Sequence, residues 1–413
     1  MRLIPPLLLG LLVAACSKPS SDDANKPATT GATAAVPASA APAQSAAPST
    51  AAPAGAAGPT ASIAAGKLVA GTACGDQPRQ PGEELAGEAI QMGAFDIDAY
   101  PYPNDATKPP LTSTSRDEAR KLCEARGRRL CTELEWERAC KGASNTRYEY
   151  GDRFDAKACP TGLGKIPGYE GFDKCVSGFG VHAMHGFVWE WTASDWKRGK
   201  EEGKVVLRGG YGNQPYAHMR CTGVRAEAPS AKEASVGFRC CGGPANAKEV
   251  EIPADEEAPV IAEEKSIDEA LLGRFKRALV NGNMKDAEGV TSTFTKVWRW
   301  RAAPKDEIIL VRYESKPADG APFVQPLVIR FCDKTVQLIG KLRGPVDTME
   351  DPVVKDDAPG TAVIRVKAGE SSGDVKLTYQ FAQVALDQPA WIKAKSASAA
   401  ASASAGAAPV TTK

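Results

Sequence analysis

The residues best suited to chemistry in this chain are its eleven cysteines and three histidines. Thiolates bind soft metal ions, whereas paired cysteines in an oxidising compartment form disulfides. The sequence has no paired C-x-x-C knuckles, which argues against zinc. His182, His185 and Glu190 offer the donors of a two-histidine, one-carboxylate iron site, but their spacing on an irregular loop supports such a site no more than chance would.

The start of the chain predicts export. A short charged start, an apolar run at residues 3–15 and then Cys16 resemble a bacterial lipoprotein signal peptide, which is cleaved before a cysteine that then carries lipid. The alternative is an ordinary secretory peptide cleaved near the same place. This apolar run is too short to span a bilayer. In either case the chain leaves the cytoplasm, so we expect the ten other cysteines to form disulfides.

Low-complexity segments are predicted on both sides of the folded part. Residues 16–66 are mostly Ala, Pro, Ser, Thr and Gly, and cannot bury enough apolar surface to offset their backbone entropy. They predict a disordered tether with a mean span of about 40 Å, and residues 396–413 predict a disordered tail. Lysine plus arginine (51) nearly equals aspartate plus glutamate (50), so no nucleic-acid partner is indicated.

Two consecutive helices are predicted from their first turns, since each starts with a Ser or Thr cap followed three residues later by Glu. The cap, the Glu and the stop residue are Ser115, Glu118 and Gly127 for the first helix and Thr132, Glu135 and Gly142 for the second. Each helix turns a cysteine inward on its apolar face, Cys123 in the first and Cys140 in the second. These helices therefore place two cysteines in the predicted core.

Four separated segments together resemble a known family. They read R-L-C-T-E-L-E-W-E at 129–137, G-F-V-W-E-W-T at 186–192, L-R-G-G at 207–210 and G-F-R-C-C at 237–241. Their order and spacing resemble the formylglycine-generating enzyme (sulfatase-modifying factor) family over about residues 95–241. The resemblance implies a modified C-type-lectin-like fold with short strands and long loops.

The predicted fold class is accordingly α+β. An irregular, disulfide-containing C-type-lectin-like domain is expected at 67–243, followed by a linker at 244–260 and a small α+β domain at 261–395. In the latter, Ser266 is expected to cap a helix, and alternating runs predict strands at 294–300, 307–313, 323–331, 336–342, 361–366 and 375–385. Lys296, Arg299 and Arg301 are interpreted as a solvated strand face.

The cysteine pairing is predicted from several arguments. The resemblance implies Cys123 with Cys240 and Cys140 with Cys221. Neighbouring strand residues face opposite ways, so Cys241 needs another partner, and Cys131, which stands where the family usually has proline, is the proposed one. Cys159 and Cys175 flank a glycine-rich loop that they are expected to close. Cys74 and Cys332 remain, and would tie the start of the domain to the C-terminal region.

The resemblance also implies a copper chemistry that this sequence lacks. The family's enzymes oxidise a substrate cysteine with two active-site cysteines that bind Cu(I), located between the R-G-G segment and the next arginine-rich strand. Residues 211–219 occupy that interval and include no cysteine. Cys221 fits the structural cysteine better, and His218 and Met219 are interpreted as ordinary strand or loop residues, so copper is not expected.

Calcium is the other cofactor that the resemblance implies. Gly186, Val188 and Glu190 match the positions that offer two carbonyls and a carboxylate. Ala183 and Phe187 replace two of the family's other usual ligands. A retained calcium site is therefore an open possibility at this stage.

The function expected from these observations is that of a binding module. Trp189 and Trp191 are interpreted as core residues, and the candidates for ligand contact are Trp196, Tyr211, Tyr216 and His218. We expect a lipid-anchored protein of the bacterial cell envelope, facing the periplasm or the cell surface, that binds an envelope protein or a glycan. The alternative is an active formylglycine-generating or related oxidoreductase that acts on an exported protein.

Overall fold

The computed structural model describes residues 58–161, 163–212, 219–254, 260–284, 289–303, 306–332, 335–355 and 358–392. The predicted signal peptide, Cys16, almost all of the tether and the C-terminal tail lie outside the described residues, as do Tyr216 and His218. Among the described helices, none is both long and apolar enough to cross a membrane.

In the residues that the structure describes, the N-terminal part combines two short helices with twelve strands of two to seven residues. The helices are α1 (Arg116–Glu124) and α2 (Glu133–Lys141). The strands are β1 (Thr60–Ile63), β2 (Gly66–Gly71), β3 (Ala86–Met92), β4 (Phe95–Asp98), β5 (Arg129–Leu130), β6 (Trp189–Asp195), β7 (Lys197–Gly199), β8 (Val205–Gly209), β9 (Val224–Glu227), β10 (Val236–Phe238), β11 (Cys240–Gly242) and β12 (Glu251–Pro253). The short strands and long loops agree with the sequence-based expectation.

Both predicted capping boxes are present. The Ser115 side chain accepts a hydrogen bond from the Glu118 amide in α1, and Thr132 does the same for Glu135 in α2. Gly142 ends α2 with a positive φ of 66°, a backbone conformation that glycine adopts without a side-chain clash. The start and the end of α2 therefore follow from its own sequence.

Two small sheets join segments that are distant in the sequence. One has the strand order β1-β4-β11-β5 and the other has the order β10-β6-β8-β9, in which β10 runs parallel to β6. Smaller pairs join β2 to β3 and β12 to β7. The closing strands β10 and β11 thus pair with β6 and β5, which include two of the four family-like segments.

Two domain boundaries differ from the prediction. Thr60–Ile63, assigned to the tether, forms strand β1 along β4, because Ala61 and Ile63 bury their side chains in the core. The predicted linker includes β12, where Ile252 and the preceding Val250 are buried against β2 and β3. Composition alone does not predict either strand, since each of the two segments has only two apolar residues to bury.

The C-terminal part contains one helix and ten strands. They are β13 (Ile261–Glu263), α3 (Glu269–Asn281), β14 (Val290–Ala303), β15 (Asp306–Pro317), β16 (Phe323–Phe331), β17 (Val336–Lys341), β18 (Thr348–Met349), β19 (Val353–Lys355), β20 (Ala358–Ala368), β21 (Ser371–Gln380) and β22 (Gln383–Asp387). They form the sheets β13-β14-β15-β16-β17 and β18-β20-β21-β22, with β19 beside β20.

Strand β15 is buried on both faces. Ile308 and Leu310 pack into the core between the two sheets, whereas Ile309 and Val311 pack against α3. Successive side chains of a strand point to opposite faces, so this uninterrupted apolar run indicates a strand that is covered twice. The first sheet therefore lies between the second sheet and α3.

Two details of the C-terminal prediction are wrong. The helix cap is Asp268 rather than Ser266, because the Asp268 carboxylate accepts from the Leu271 amide. The run predicted as one strand at 375–385 is a hairpin, in which β21 and β22 meet at Phe381 and Ala382. Both turn residues have positive φ, as a two-residue hairpin turn of the primed type requires.

The predicted basic face of β14 is balanced by carboxylates. Lys296 lies 3.0 Å from Asp351. Arg299 donates hydrogen bonds to Glu264 and Glu307, and its pKa is raised, chiefly through the hydrogen bond that it donates to Glu264. These pairs agree with a solvated strand face.

Five disulfides pair the ten described cysteines as the sequence analysis expected. The pairs are Cys74–Cys332, Cys123–Cys240, Cys131–Cys241, Cys140–Cys221 and Cys159–Cys175. Cys240 and Cys241 belong to different core clusters on the two sides of β11. Cys74–Cys332 joins the N-terminal and C-terminal parts, aided by a hydrogen bond from Gln337 Nε2 to the Gly75 carbonyl at 2.9 Å.

The Cys74–Cys332 disulfide closes a sequence separation of 258 residues, against 16 for Cys159–Cys175. In the chain-entropy model, replacing the first pair by serines is expected to cost roughly 5 to 6 kcal/mol and replacing the second about 3 kcal/mol. Denaturant unfolding of the two double variants measures both costs. A larger loss of unfolding free energy in the Cys159–Cys175 variant than in the Cys74–Cys332 variant would show that local packing outweighs chain entropy.

Candidate functional site

The centre of the N-terminal part is a buried ion pair between Arg239 and Glu190. Arg239 Nε and Nη2 each donate to a different Glu190 oxygen at 2.7 Å, and Trp136 Nε1 donates to Oε2 at 2.8 Å. All three side chains are almost fully buried. Burial would lower the pKa of Arg239, but the Glu190 charge outweighs it and raises that pKa. Three of the four family-like segments therefore meet in one contact.

The remaining Arg239 donors organise the surrounding loops. Nη1 donates to the Asp98 carbonyl at 3.2 Å, and Nη2 donates to the His182 carbonyl at 3.1 Å. The Nη2 group also reaches the carbonyl of Ala183, which has a φ of 57°. One guanidinium thus holds β4 and the loop at 182–183 against β11.

A second buried ion network joins α2 to the R-G-G segment. Arg208 Nη2 lies 2.7 Å from Glu133 and 3.1 Å from Glu137. Lys141 lies 2.9 Å from Glu137, and Arg198 also pairs with Glu133. Burial would raise the pKa of Glu137, but Lys141 and Arg208 outweigh it and hold that pKa below its usual value. The charged residues of the family-like segments are therefore structural.

A surface pocket of about 330 Å³ adjoins this core. Its aromatic lining residues are Tyr100, Tyr169, Phe172, His182 and Phe187. Tyr100 stacks on His182 with the ring centroids 4.6 Å apart, and its ring meets Tyr169 edge-on at 5.0 Å. The volume lies at the small end of the range of about 300 to 1,000 Å³ that is typical of ligand pockets. The pocket is the candidate functional site.

Sequence analysis missed this pocket. Its loop side comes from the run Y-E-G-F-D at 169–173, which the Cys159–Cys175 disulfide encloses. An aromatic residue followed by an acidic residue occurs in that run twice, at Tyr169 and again at Phe172. This repeated aromatic-acidic pair could have indicated a binding loop. Nothing in the sequence, however, indicates that Tyr100 contacts Tyr169.

Of the binding candidates named from sequence, the structure describes Trp196 and Tyr211, and neither is an exposed side chain. Trp196 is only 8% exposed, because it packs against Val206 and Val224 and the Arg198 guanidinium lies 4.7 Å from its ring. The interpretation of Trp196 as an exposed contact is therefore wrong. Tyr211 is half-buried against the core. Tyr216 and His218 lie outside the described residues.

Comparison with known proteins agrees with the geometry of the N-terminal part. Residues 100–242 match the model of the sulfatase-modifying factor enzyme 1-like domain. The chain thus contains a sulfatase-modifying factor enzyme 1-like domain. An inactive C-alpha-formylglycine-generating enzyme 2 from Bos taurus is 30% identical over 155 residues, which cover 32% of this chain and 50% of that protein.

Active relatives are similar over the same part. The formylglycine-generating enzyme of Mus musculus is 27% identical over 161 residues, or 32% of this chain and 43% of that protein. The chain spans about half the length of the curated relatives it matches. Among solved structures, PvdO from Pseudomonas aeruginosa is 19% identical, with a TM-score of 0.38, over 44% of this chain and 93% of that one.

The residues of the sulfatase-modifying factor enzyme 1-like domain do not fit the copper site that the family resemblance implies. All ten described cysteines are in disulfides, so the described residues include no free thiol. The interval at 211–219 has no cysteine in the sequence. Met219 is buried, and His218 lies outside the described residues. A pair of soft thiolates for Cu(I) is therefore missing from this interval.

The calcium donors expected in the domain do not fit either. Both Glu190 oxygens already accept hydrogen bonds from Arg239, and one also accepts from Trp136. A calcium ion there would meet the adjacent guanidinium charge, and removing Glu190 from Arg239 would leave that buried charge unpaired. Gly186 and Val188 supply only backbone carbonyls. The arrangement is a structural ion pair rather than a hard-cation site.

His182 and His185 do not form an iron site with Glu190. His185 is fully buried and its Nδ1 pairs with Glu149, whereas His182 stacks on Tyr100 at the pocket. Among the described residues, the side chains close enough together to share a metal ion are Glu149, Cys159 and Cys175. Cys159 and Cys175 form a disulfide, so they offer no thiolate. None of these contacts joins the two histidines to Glu190.

The Glu190–Arg239 pair predicts a large stability effect. Glu190→Gln is expected to lower the free energy of unfolding by about 3 to 5 kcal/mol, because it leaves a buried guanidinium without its counter-charge. Denaturant unfolding at neutral pH measures the loss. The exposed Glu88, 3.5 Å from Lys248, supplies the matched control Glu88→Gln, for which we expect little change. Equal losses of unfolding free energy in Glu190→Gln and Glu88→Gln would contradict the assignment of Glu190–Arg239 as a stabilising buried ion pair.

The lowered pKa of Glu137 predicts a dependence of stability on pH. Its contribution is present above the unfolded pKa of about 4.3 and is lost as pH falls through the folded value. The gap in unfolding free energy between wild type and Glu137→Gln should therefore narrow below about pH 4.3. A gap that is constant between neutral and acidic pH would contradict this. The exposed Glu370→Gln is the control.

Proposed function

We propose that this chain is a lipid-anchored protein of the bacterial cell envelope whose sulfatase-modifying factor enzyme 1-like domain binds a ligand and does not oxidise cysteine. The observation that carries the proposal is the use of all ten described cysteines as disulfide staples. In this proposal Cys16 carries the lipid, and the domain keeps the C-type-lectin-like fold of its relatives. Its partner is an envelope protein or a glycan.

The loss of catalysis is supported by what the family-like residues do. Trp136, Glu190 and Arg239 bind one another in the core, and Glu133 binds Arg208. Their contacts account for the similarity without any catalytic role. A relative with 30% identity is itself described as inactive, which is consistent with a scaffold that persists without the oxidase activity.

The binding role is supported by the aromatic pocket. Half-exposed Tyr100, Tyr169 and Phe172 leave aromatic surface accessible next to a rigid, disulfide-stapled core. Preformed pockets lined by aromatic rings are typical of ligand sites. The alternative of an active oxidase that uses His218 and Met219 gains no support, since Met219 is buried.

The proposal predicts that no aldehyde forms. Purified full-length protein is incubated with Cu(I), oxygen and a sulfatase-type cysteine peptide, and the peptide is analysed by mass spectrometry. We expect unmodified cysteine, because the thiolate pair that Cu(I) selects is missing. An active formylglycine-generating enzyme in the same buffer is the positive control. Formation of formylglycine by this protein would overturn the proposal.

A second experiment tests the alternative, an active oxidase, directly. An oxidase that relies on His218 requires stoichiometric copper binding that disappears in His218→Ala. Copper binding by wild type and variant is measured by equilibrium dialysis. Binding that is weak and equal in both proteins is the expected result, whereas tight binding that the substitution removes would favour the oxidase.

A further inference from the structure

The aromatic pocket has a rim and a floor of different chemistry. Glu170 and Asp173 lie on its rim and are exposed, whereas Cys175, Ala183 and Phe187 form buried parts of its lining. The Cys175 sulfur is in a disulfide with Cys159 and does not titrate. A ligand would therefore meet carboxylates at the entrance and an apolar surface below.

The charges near the pocket favour a cation. Besides Glu170 and Asp173, Asp105 lies close enough to contribute to raising the pKa of Tyr169, although burial is the main cause. Burial and the nearby Arg239 lower the pKa of His182, so its ring is neutral at neutral pH. These groups leave a net negative environment on the ligand side.

The cations close to the pocket do not reverse that sign. Arg239 lies behind the lining, and its charge is matched by Glu190 at 2.7 Å. Lys108 pairs with Asp105 at 3.0 Å. Exposed Lys174 follows Asp173 in the sequence but is not among the lining residues.

The apolar floor selects among cations. A primary ammonium is strongly hydrated and needs hydrogen-bond acceptors when it leaves water. The side chains of Ala183 and Phe187 supply none, and the Ala183 carbonyl already accepts from Arg239. A quaternary ammonium has no N–H donor to satisfy, is weakly hydrated, and is attracted to aromatic rings. Its size also suits a pocket of about 330 Å³.

We propose that this pocket binds the quaternary ammonium group of a small molecule of the choline type. The group would lie next to the rings of Tyr100, Tyr169 and Phe172 and to the carboxylates of Glu170 and Asp173. The inference deepens the proposed binding function and rests on it for its biological meaning. The site itself is defined by the lining residues and their charges.

Calorimetric titration of the purified full-length protein tests the proposal with two ligands of the same shape. Choline has a charged trimethylammonium group, whereas 3,3-dimethyl-1-butanol has a neutral carbon in its place. We expect choline to bind at least about tenfold more tightly, since the rings and carboxylates act on the charge. Equal affinities, or an absence of choline binding, would overturn the proposal.

Two further ligands define the class of cation and its source. Butylammonium should bind at least about tenfold more weakly than choline, because its strongly hydrated ammonium group loses more hydration than the rings and the apolar floor replace. Tighter binding of butylammonium would overturn the quaternary assignment.

Glycerophosphocholine should bind more weakly than choline, since its phosphate approaches the acidic rim. An equal or higher affinity would overturn the assignment to a free small molecule in favour of a lipid head group.

Variants locate the binding. Phe172→Ala and the double variant Glu170→Gln, Asp173→Asn should each weaken choline binding by about three- to tenfold. The matched controls are Phe154→Ala and Asp374→Asn, which change an exposed aromatic and an exposed acidic residue outside the pocket lining. The acidic rim is exposed, so its double variant should fold normally. Unchanged choline affinity in both pocket variants would overturn the location.

The outcomes separate this inference from the proposed function. Failure of choline to bind, together with absence of aldehyde formation, would reject the ligand class and leave a non-catalytic domain. Aldehyde formation would reject the proposed function whatever the affinity for choline. The two assays share the protein but no substrate, so neither result decides the other.

Discussion

The pairing of Arg239 with Glu190 is the contact on which the N-terminal part depends. A buried guanidinium has five donors, and leaving them without acceptors is costly. Here they are satisfied by one carboxylate and by carbonyls of β4 and the loop at 182–183. The pair therefore fixes the closing strand, the W-E-W strand and one wall of the pocket relative to one another.

The disulfides supply the second constraint. Cys123–Cys240 and Cys131–Cys241 fasten the two faces of β11 to α1 and to the segment before α2. Cys140–Cys221 fastens the end of α2, and Cys159–Cys175 closes the loop that lines the pocket. Staples of this kind mainly restrict the unfolded chain. They also use every described thiol, so the bonds that stabilise the scaffold remove the groups that copper chemistry would need.

The resulting site differs in kind from the one that the family resemblance implies. Trp136, Glu190 and Arg239 at the family-like positions are buried and paired, and both oxygens of the Glu190 carboxylate accept hydrogen bonds. The accessible chemistry lies instead in a loop with no counterpart among the quoted family segments, where aromatic rings and carboxylates face solvent. The proposed function of this domain therefore lies in the loop that lines the pocket and not in its buried core.

The sequence by itself determined those features that depend on neighbouring residues. The capping boxes at Ser115 and Thr132 indicated both helices, and the alternation of apolar residues located most C-terminal strands, because caps and strand alternation act over a few residues. The lack of cysteine at 211–219 argues against a copper site without reference to the fold.

Only the tertiary structure decided which distant residues meet. It packed Trp196 against Arg198, and it buried Ile63 and Ile252 in two different cores that their local composition did not indicate. It also brought Tyr100 into edge-on contact with Tyr169 in the pocket lining. The physical reason is that burial and pocket shape depend on contacts between segments tens of residues apart, whose energies no local pattern records.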